Sequence, residues 1–252
     1  YAAIGDYYAM AASNDYSDCS FAAVEFTTKT SGEGETPTPP DQENVVVELS
    51  YQESGKEEIT KVLYEKFEDA TTALNGLSDC SDIKLTLLKD TTIQPTKAYG
   101  YAAVIQKSCT LDLNGKVLTA YSDIVGSMTG GLLVEGEVHF VLTDSSEDRS
   151  GMILSKSGSA AMISGLEIGS RFDSDVYEKL PGEITFEMDS AVVKDINYDQ
   201  PKAVKSCLYL GNSCTSAELN DSVVYGAVTT NCDLLELNNS RVEANTEGQR
   251  VL

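Results

Sequence analysis

One histidine, six cysteines, four arginines and a surplus of carboxylates are the side chains through which this 252-residue sequence could do chemistry. His139 stands in EGEVHFVL. Period-two alternation turns Val138, Phe140 and Leu142 to one side and His139, with Glu137, to the other. Hydrolysis of an acidic polysaccharide needs paired carboxylates with supporting histidine and basic residues, and His139 is the one histidine in the sequence. The expectation is an exposed, structural His139.

Elimination on an acidic sugar would need an arginine or lysine base beside a cation-bound uronate. The arginines are Arg149, Arg171, Arg241 and Arg250, and Arg149 lies in the acidic loop DSSEDRSG, from Asp144 to Gly151. Carboxylates and carbonyls there have the oxygen chemistry that calcium takes. DINYDQ offers Asp195, Asn197 and Asp199 at alternate positions, without the glycine and closing glutamate of an EF-hand loop. Both stretches read as solvated turns. No catalytic residue, cofactor or metal ligand is assigned.

The cysteines are Cys19, Cys80, Cys109, Cys207, Cys214 and Cys232. An even count suits disulfides in a secreted protein. The absence of CxxC and the single histidine leave no zinc set of ordinary spacing. Cys214 and Cys232 open two related stretches, CTSAELNDSVV at 214–224 and CDLLELNNSRV at 232–242, which agree at six of eleven positions. An interval of 18 residues suits one turn of a coil of three short parallel strands, with equivalent residues stacked at about 4.8 Å. Cys214 and Cys232 are then neighbours on adjacent coils, as a disulfide or a stacked thiol pair, with Cys207 the competing partner. Leu219 should stack on Leu237 inside. Asn220 should stack on Asn238 at a corner, where asparagine tolerates left-handed backbone.

The elements that must position these residues follow from texture. Residues 1–45 read as a Tyr-rich arm and a Pro/Thr/Gly-rich linker holding Pro37, Pro39 and Pro40. Residues 46–252 read as one all-β domain. NVVVELSYQ alternates like a strand. Phe67, Ala70, Leu74 and Leu77 recur at helical spacing, which predicts an amphipathic cap helix over 66–77. Beyond Ile83, short β-rich runs end in turn formers. LDLNGKV (111–117), LLVEGEV (132–138), MISGLEI (162–168), FEMDSAV (186–192), AELNDSV (217–223) and LELNNSRV (235–242) align as one recurring corner. The expectation is a right-handed parallel β-helix of about seven or eight turns; an antiparallel sandwich is the alternative.

The net charge of −22 opposes binding to nucleic acid or to an anionic membrane surface. No run approaches the roughly 18 to 20 apolar residues needed to cross a bilayer. The opening YAAIGDYYAM and the closing GQRVL read as the ends of a piece processed or excised from a longer protein.

FEDATTALNGLSDCSDIKLTLLKDTTI, CTLDLNGKVLTA and VHFVLTDSSEDRSGMI together resemble the opening of right-handed parallel β-helix (pectate-lyase-like) domains in surface proteins of Gram-positive, gut-type bacteria. The resemblance covers residues 66–153, and its motifs are structural. It implies an extracellular, cell-surface or secreted protein, with adhesion or glycan contact as its work. Six cysteines are more than that family leads one to expect. The expected function is therefore a non-enzymatic surface or structural module, adhesive or filament-forming, contacting glycans or self-associating through the N-terminal arm. A polysaccharide-degrading lyase or hydrolase is the alternative from another class.

Overall fold

The computed structural model describes residues 9–10, 21–22, 43–96, 100–121, 129–156, 164–169, 183–199 and 206–243. The chain divides into two compact units, residues 1–39 and 40–252. In the first, Ala9–Met10 and Phe21–Ala22 pair antiparallel. The rest of the Tyr-rich arm and its linker, Cys19 and Arg171 and Arg250 lie outside the described residues.

The second unit is predominantly β, with parallel sheets stacked in a solenoid-like arrangement. Each coil gives one strand to each of three sheets. The first coil runs through Cys80–Leu87, Thr91–Ile93 and Gly100–Ile105, and the second through Cys109–Asp112, Val117–Tyr121 and Thr129–Val134. The third comprises Val138–Thr143, Met152–Lys156 and Leu166–Ile168, and the fourth Ile184–Asp189, Val192–Asp195 and Ser206–Leu210. Cys214–Asn220, Val223–Tyr225 and Ala227–Thr230 make the fifth, and Leu234–Asn238 with Arg241–Glu243 begin a sixth. The parallel pairing of every successive coil is incompatible with an antiparallel sandwich.

Among the described residues there are five complete coils and two strands of a sixth, fewer than the seven or eight turns expected. The discrepancy comes from the corners. LDLNGKV, FEMDSAV, AELNDSV and LELNNSRV do join the first sheet to the second. LLVEGEV instead joins the third sheet to the first, and MISGLEI enters the third sheet. The true corner of the third coil is the stretch between Thr143 and Met152. Leu85, Leu111, Leu142, Met188, Leu219 and Leu237 form one register column, at intervals of 26, 31, 46, 31 and 18 residues. Long connections are inserted within coils, so the pitch in sequence varies while the stacking does not.

Alternation puts one side of each strand inside. Leu85, Leu111, Leu142, Met188 and Leu219 are buried in the first sheet, Leu118, Ile153, Val193 and Val224 in the second, and Leu132, Leu166, Leu208 and Val228 in the third. Burying such a side chain contributes about 1.5–3 kcal/mol. Phe140 and Phe186, register partners, stack with ring centroids 5.9 Å apart. Leu237, in the last coil, shares the column of Leu219 but is 39% exposed, because no further described strand covers it.

The helix runs over Phe67–Asn75, and Phe67, Ala70, Thr71 and Leu74 form its buried face. Leu77 falls beyond its end and is half-buried. The Asn75 side-chain amide donates to the Val104 carbonyl at 2.9 Å and accepts from the Gln106 N–H at 2.9 Å. One amide thus substitutes for the missing neighbour of the first strand in the third sheet. The first sheet is closed differently: Val47–Glu53, predicted as a strand, pairs antiparallel with both Cys80–Leu87 and Ile59–Tyr64. That hairpin blunts the sheet edge with the chain's own strands.

The corner between the first and second sheets repeats in detail. It turns on a residue with positive φ in five successive coils: Asn114 (48°), Arg149 (48°), Ser190 (54°), Asp221 (49°) and Asn239 (50°). The left-handed position therefore falls one residue after Asn220 and Asn238, where it had been expected. Those two asparagines do bond along the stack, Asn238 Nδ2 donating to Asn220 Oδ1 at 3.0 Å, and Asn239 donates likewise to Asp221. The serine that follows bridges coils. Ser222 Oγ accepts from the Ala191 N–H at 3.1 Å and lies 3.0 Å from the Met188 carbonyl. One coil on, Ser240 Oγ accepts from the Ser222 N–H at 2.9 Å and lies 2.9 Å from the Leu219 carbonyl. Earlier corners use carboxylates for the same task. Asp112 accepts from the N–H groups of Asn114 and Ser145 and from the Ser145 hydroxyl, and Lys84 Nζ lies 2.7 Å from it.

Burial raises the Asp112 pKa, but the Lys84 ammonium and the Ser145 donors outweigh it and hold the carboxyl below its ordinary value. The stability this contributes is complete above the unfolded pKa of about 3.9 and disappears as pH falls through the lower folded value. Asp112→Asn should cost about 1–3 kcal/mol at neutral pH, and the gap from wild type should narrow below about pH 4. Urea unfolding across pH measures this; a gap independent of pH would contradict it. Ser222→Ala removes a buried bridge and should cost about 1–3 kcal/mol in the same assay, where an unchanged midpoint would show the bridge to be dispensable.

Candidate functional site

The residues singled out for chemistry are largely held in structural roles. His139 is exposed on the first sheet, its Nδ1 2.8 Å from Oγ1 of Thr185, its register partner, and its N–H donating to Ser108 Oγ at 2.9 Å. In the acidic loop, Asp144 is buried and accepts N–H groups from Gly115 at 2.8 Å, Ser146 at 3.2 Å and Gly151 at 2.6 Å. A Cβ at residue 151 would lie 2.7 Å from the Asp144 carboxyl carbon, so glycine is required for that contact. Asp148 accepts from Ser150 Oγ at 3.0 Å. In DINYDQ, buried Asp195 accepts from the Asn197 N–H at 2.8 Å, and exposed Asp199 pairs with Lys194 at 2.7 Å. Among the described residues no group of three or more His, Cys, Asp and Glu side chains is arranged to hold a metal ion.

Two further side-chain clusters lie among the described residues. The first is on the outer side of the second sheet. Tyr225 and Tyr198, both half-buried, have ring centroids 5.2 Å apart and planes tilted by 60°. Lys194 lies beside Tyr225 in register and 5.7 Å over the Tyr198 ring, and Arg241 donates to the Tyr225 hydroxyl at 3.3 Å. Partial burial, reinforced by the Glu243 carboxylate, raises the Tyr198 phenol above its ordinary value, so it stays protonated. Along the same flank Lys156 sits 4.5 Å over the Tyr121 ring. Alternation in SVVYG was sufficient to turn Tyr225 outward. Tyr198 comes from a turn, and nothing in its local pattern announces the pairing. Beside this flank, the first sheet stacks Glu187, Glu218 and Glu236 in one outward column. The Asn238 amide donates to Glu218 at 2.9 Å.

The second arrangement is the cysteine pair. All five described cysteines, Cys80, Cys109, Cys207, Cys214 and Cys232, are free thiols. Ser216 and Leu234 are register partners. Each carbonyl receives the cysteine two residues before it: Cys214 Sγ lies 3.4 Å from Ser216 O, and Cys232 Sγ 3.3 Å from Leu234 O. Thr230 Oγ1 lies 2.9 Å from Cys232 Sγ. Cys207 faces elsewhere, its Sγ 3.5 Å from the Ala227 carbonyl.

A third polar group escaped the sequence reading. Glu167 is buried on the third sheet, accepting from the Tyr101 hydroxyl at 2.8 Å and the Ser164 N–H at 3.2 Å. It occupies an outward register position, between Leu133 and Tyr209, where alternation predicts exposure. No protein family, curated protein or solved structure matches the chain.

Proposed function

We propose that this chain is an extracellular, non-enzymatic surface module built on a right-handed parallel β-helix, and that it contacts glycans along the outer flank of the second sheet. The handedness rests on a general rule: connections between parallel strands of one sheet are right-handed in about 98% of cases. The observation that carries the glycan reading is the Tyr198–Tyr225 pair with Lys194 and Arg241 around it. Half-buried aromatic faces stack on the C–H faces of sugar rings, and the polar tips bond hydroxyls. The net charge of −22 favours neutral or amino sugars over polyuronates.

The non-enzymatic reading is supported by where the carboxylates are spent. Asp112, Asp144 and Asp195 accept backbone N–H groups at corners and turns, and such groups are poor candidates for proton transfer. Self-association is assigned to the N-terminal arm. The helix and hairpin cover the start of the coil with the chain's own residues, so head-to-tail stacking of coils needs another joint.

Retention on immobilised neutral or amino glycans should fall about tenfold in Tyr225→Ala, the loss expected for about 1.4 kcal/mol of aromatic stacking. Tyr198→Ala should act in the same direction. Wild-type retention unaltered in both variants would overturn the flank. Release of unsaturated or reducing ends from a uronate polymer would overturn the non-enzymatic reading and favour the lyase or hydrolase.

A further inference from the structure

We propose that Cys214 and Cys232 form a thiol–disulfide exchange site, in which Cys232 attacks a small-molecule disulfide and Cys214 resolves the product, clasping the fifth coil to the sixth. The repeated Sγ-to-carbonyl contact two residues on, with Ser216 over Leu234, makes the two cysteines equivalent positions on adjacent parallel coils. Adjacent strands stand about 4.8 Å apart, inside the Cα separation of about 4.4–6.8 Å that a disulfide spans.

Their surroundings differ, and that difference divides the labour. Cys214 is fully buried under the first sheet, whereas Cys232 is half-buried at the start of the last described coil. A Cys232 thiolate has the neighbouring Cys214 thiol and, 2.9 Å away, the Thr230 hydroxyl to stabilise it. Those two contacts outweigh its partial burial and bring its pKa down to about 6, while the proton is retained on Cys214, whose pKa is raised. The attacking thiolate is therefore the accessible one. Elsewhere burial works the other way: it pushes Cys109 up to about 12 and raises Cys207 as well. Neither competes.

The chemistry balances with a disulfide as oxidant. The Cys232 thiolate bonds to one sulfur of the reagent and expels the other as a thiolate. Cys214 then loses its proton, bonds to Cys232 Sγ and expels the second reagent thiolate. Two thiols become one disulfide, and one reagent disulfide becomes two thiols. The product ties down a coil in which Leu234 and Leu237 are 50% and 39% exposed and which pairs on one side only among the described residues.

The full chain, treated with oxidised glutathione and examined by intact mass and peptide mapping, should lose two hydrogens and link the peptides bearing Cys214 and Cys232. Cys214→Ser should instead retain one glutathione, on Cys232. Cys232→Ser should leave Cys214 unmodified. At pH 6, alkylation of Cys232 should run about tenfold faster than that of a cysteine in a short unstructured peptide, the gain in thiolate being partly offset by lower nucleophilicity. A persistent glutathione adduct on the wild type without a bridge, a bridge involving another cysteine, modification of Cys214 in Cys232→Ser, or an alkylation rate no faster than the peptide's would each overturn the assignment. None of these readouts depends on glycan binding, so the two proposals fail separately.

Discussion

A chain that passes sharply from one sheet of a coil to the next leaves backbone groups at the bend that no strand can pair, and it must bend the same way in every coil for the stack to continue. Here both demands meet between the first and second sheets. A left-handed residue makes the bend, and a polar side chain close to it in sequence takes up backbone groups stranded at the corner of a neighbouring coil. In the last coils that side chain is Ser222 or Ser240, each reaching an N–H and a carbonyl one coil back. In the earlier coils it is Asp112 or Asp144. Unpaired buried backbone groups cost about 1–3 kcal/mol each, so this corner fixes the register on which the interior columns depend.

The same constraint limits what the acidic residues can do. A carboxylate with its lone pairs committed to two or three donors is neither a free ligand for a cation nor a base of ordinary reach. The side chains that the corner does not use include the outward tyrosines of the second sheet, Tyr198 and Tyr225, and the thiols of Cys214 and Cys232. With 18 residues per turn the fifth coil has almost no slack, and Cys214 and Cys232 fall at equivalent positions on adjacent coils.

The parts of this arrangement that were readable from the sequence are those with short, strict periods. Phe67, Ala70 and Leu74 announced the helix at a spacing of three to four. The 18-residue echo announced that Leu219 stacks on Leu237 and Asn220 on Asn238, as the register has it. Turn formers were less informative, because a turn residue followed by Gly occurs at different corners: Asn114–Gly115 between the first and second sheets, Glu135–Gly136 between the third and the first. LLVEGEV and MISGLEI share that texture without joining the first sheet to the second, and long connections within coils leave fewer coils among the described residues than a period of 18 to 30 residues implies. The hairpin at the start pairs residues through long-range contacts that no local pattern encodes. Glu167 reads as a surface residue by alternation, yet the third sheet's outward side buries it with Tyr101.

Hydrogen exchange at one amide tests the corner most directly. The Ser222 N–H has Ser240 Oγ as its acceptor, a side chain contributed by the next coil. In Ser240→Ala the account expects the Ser222 amide to lose protection by at least about tenfold, as about 1.4 kcal/mol of local stability is removed. Amides of Leu111 and Leu142, in earlier coils whose corners rely on aspartate, should keep theirs. Unchanged protection at Ser222, or a uniform loss across all coils, would contradict the claim that the corner side chain couples neighbouring coils.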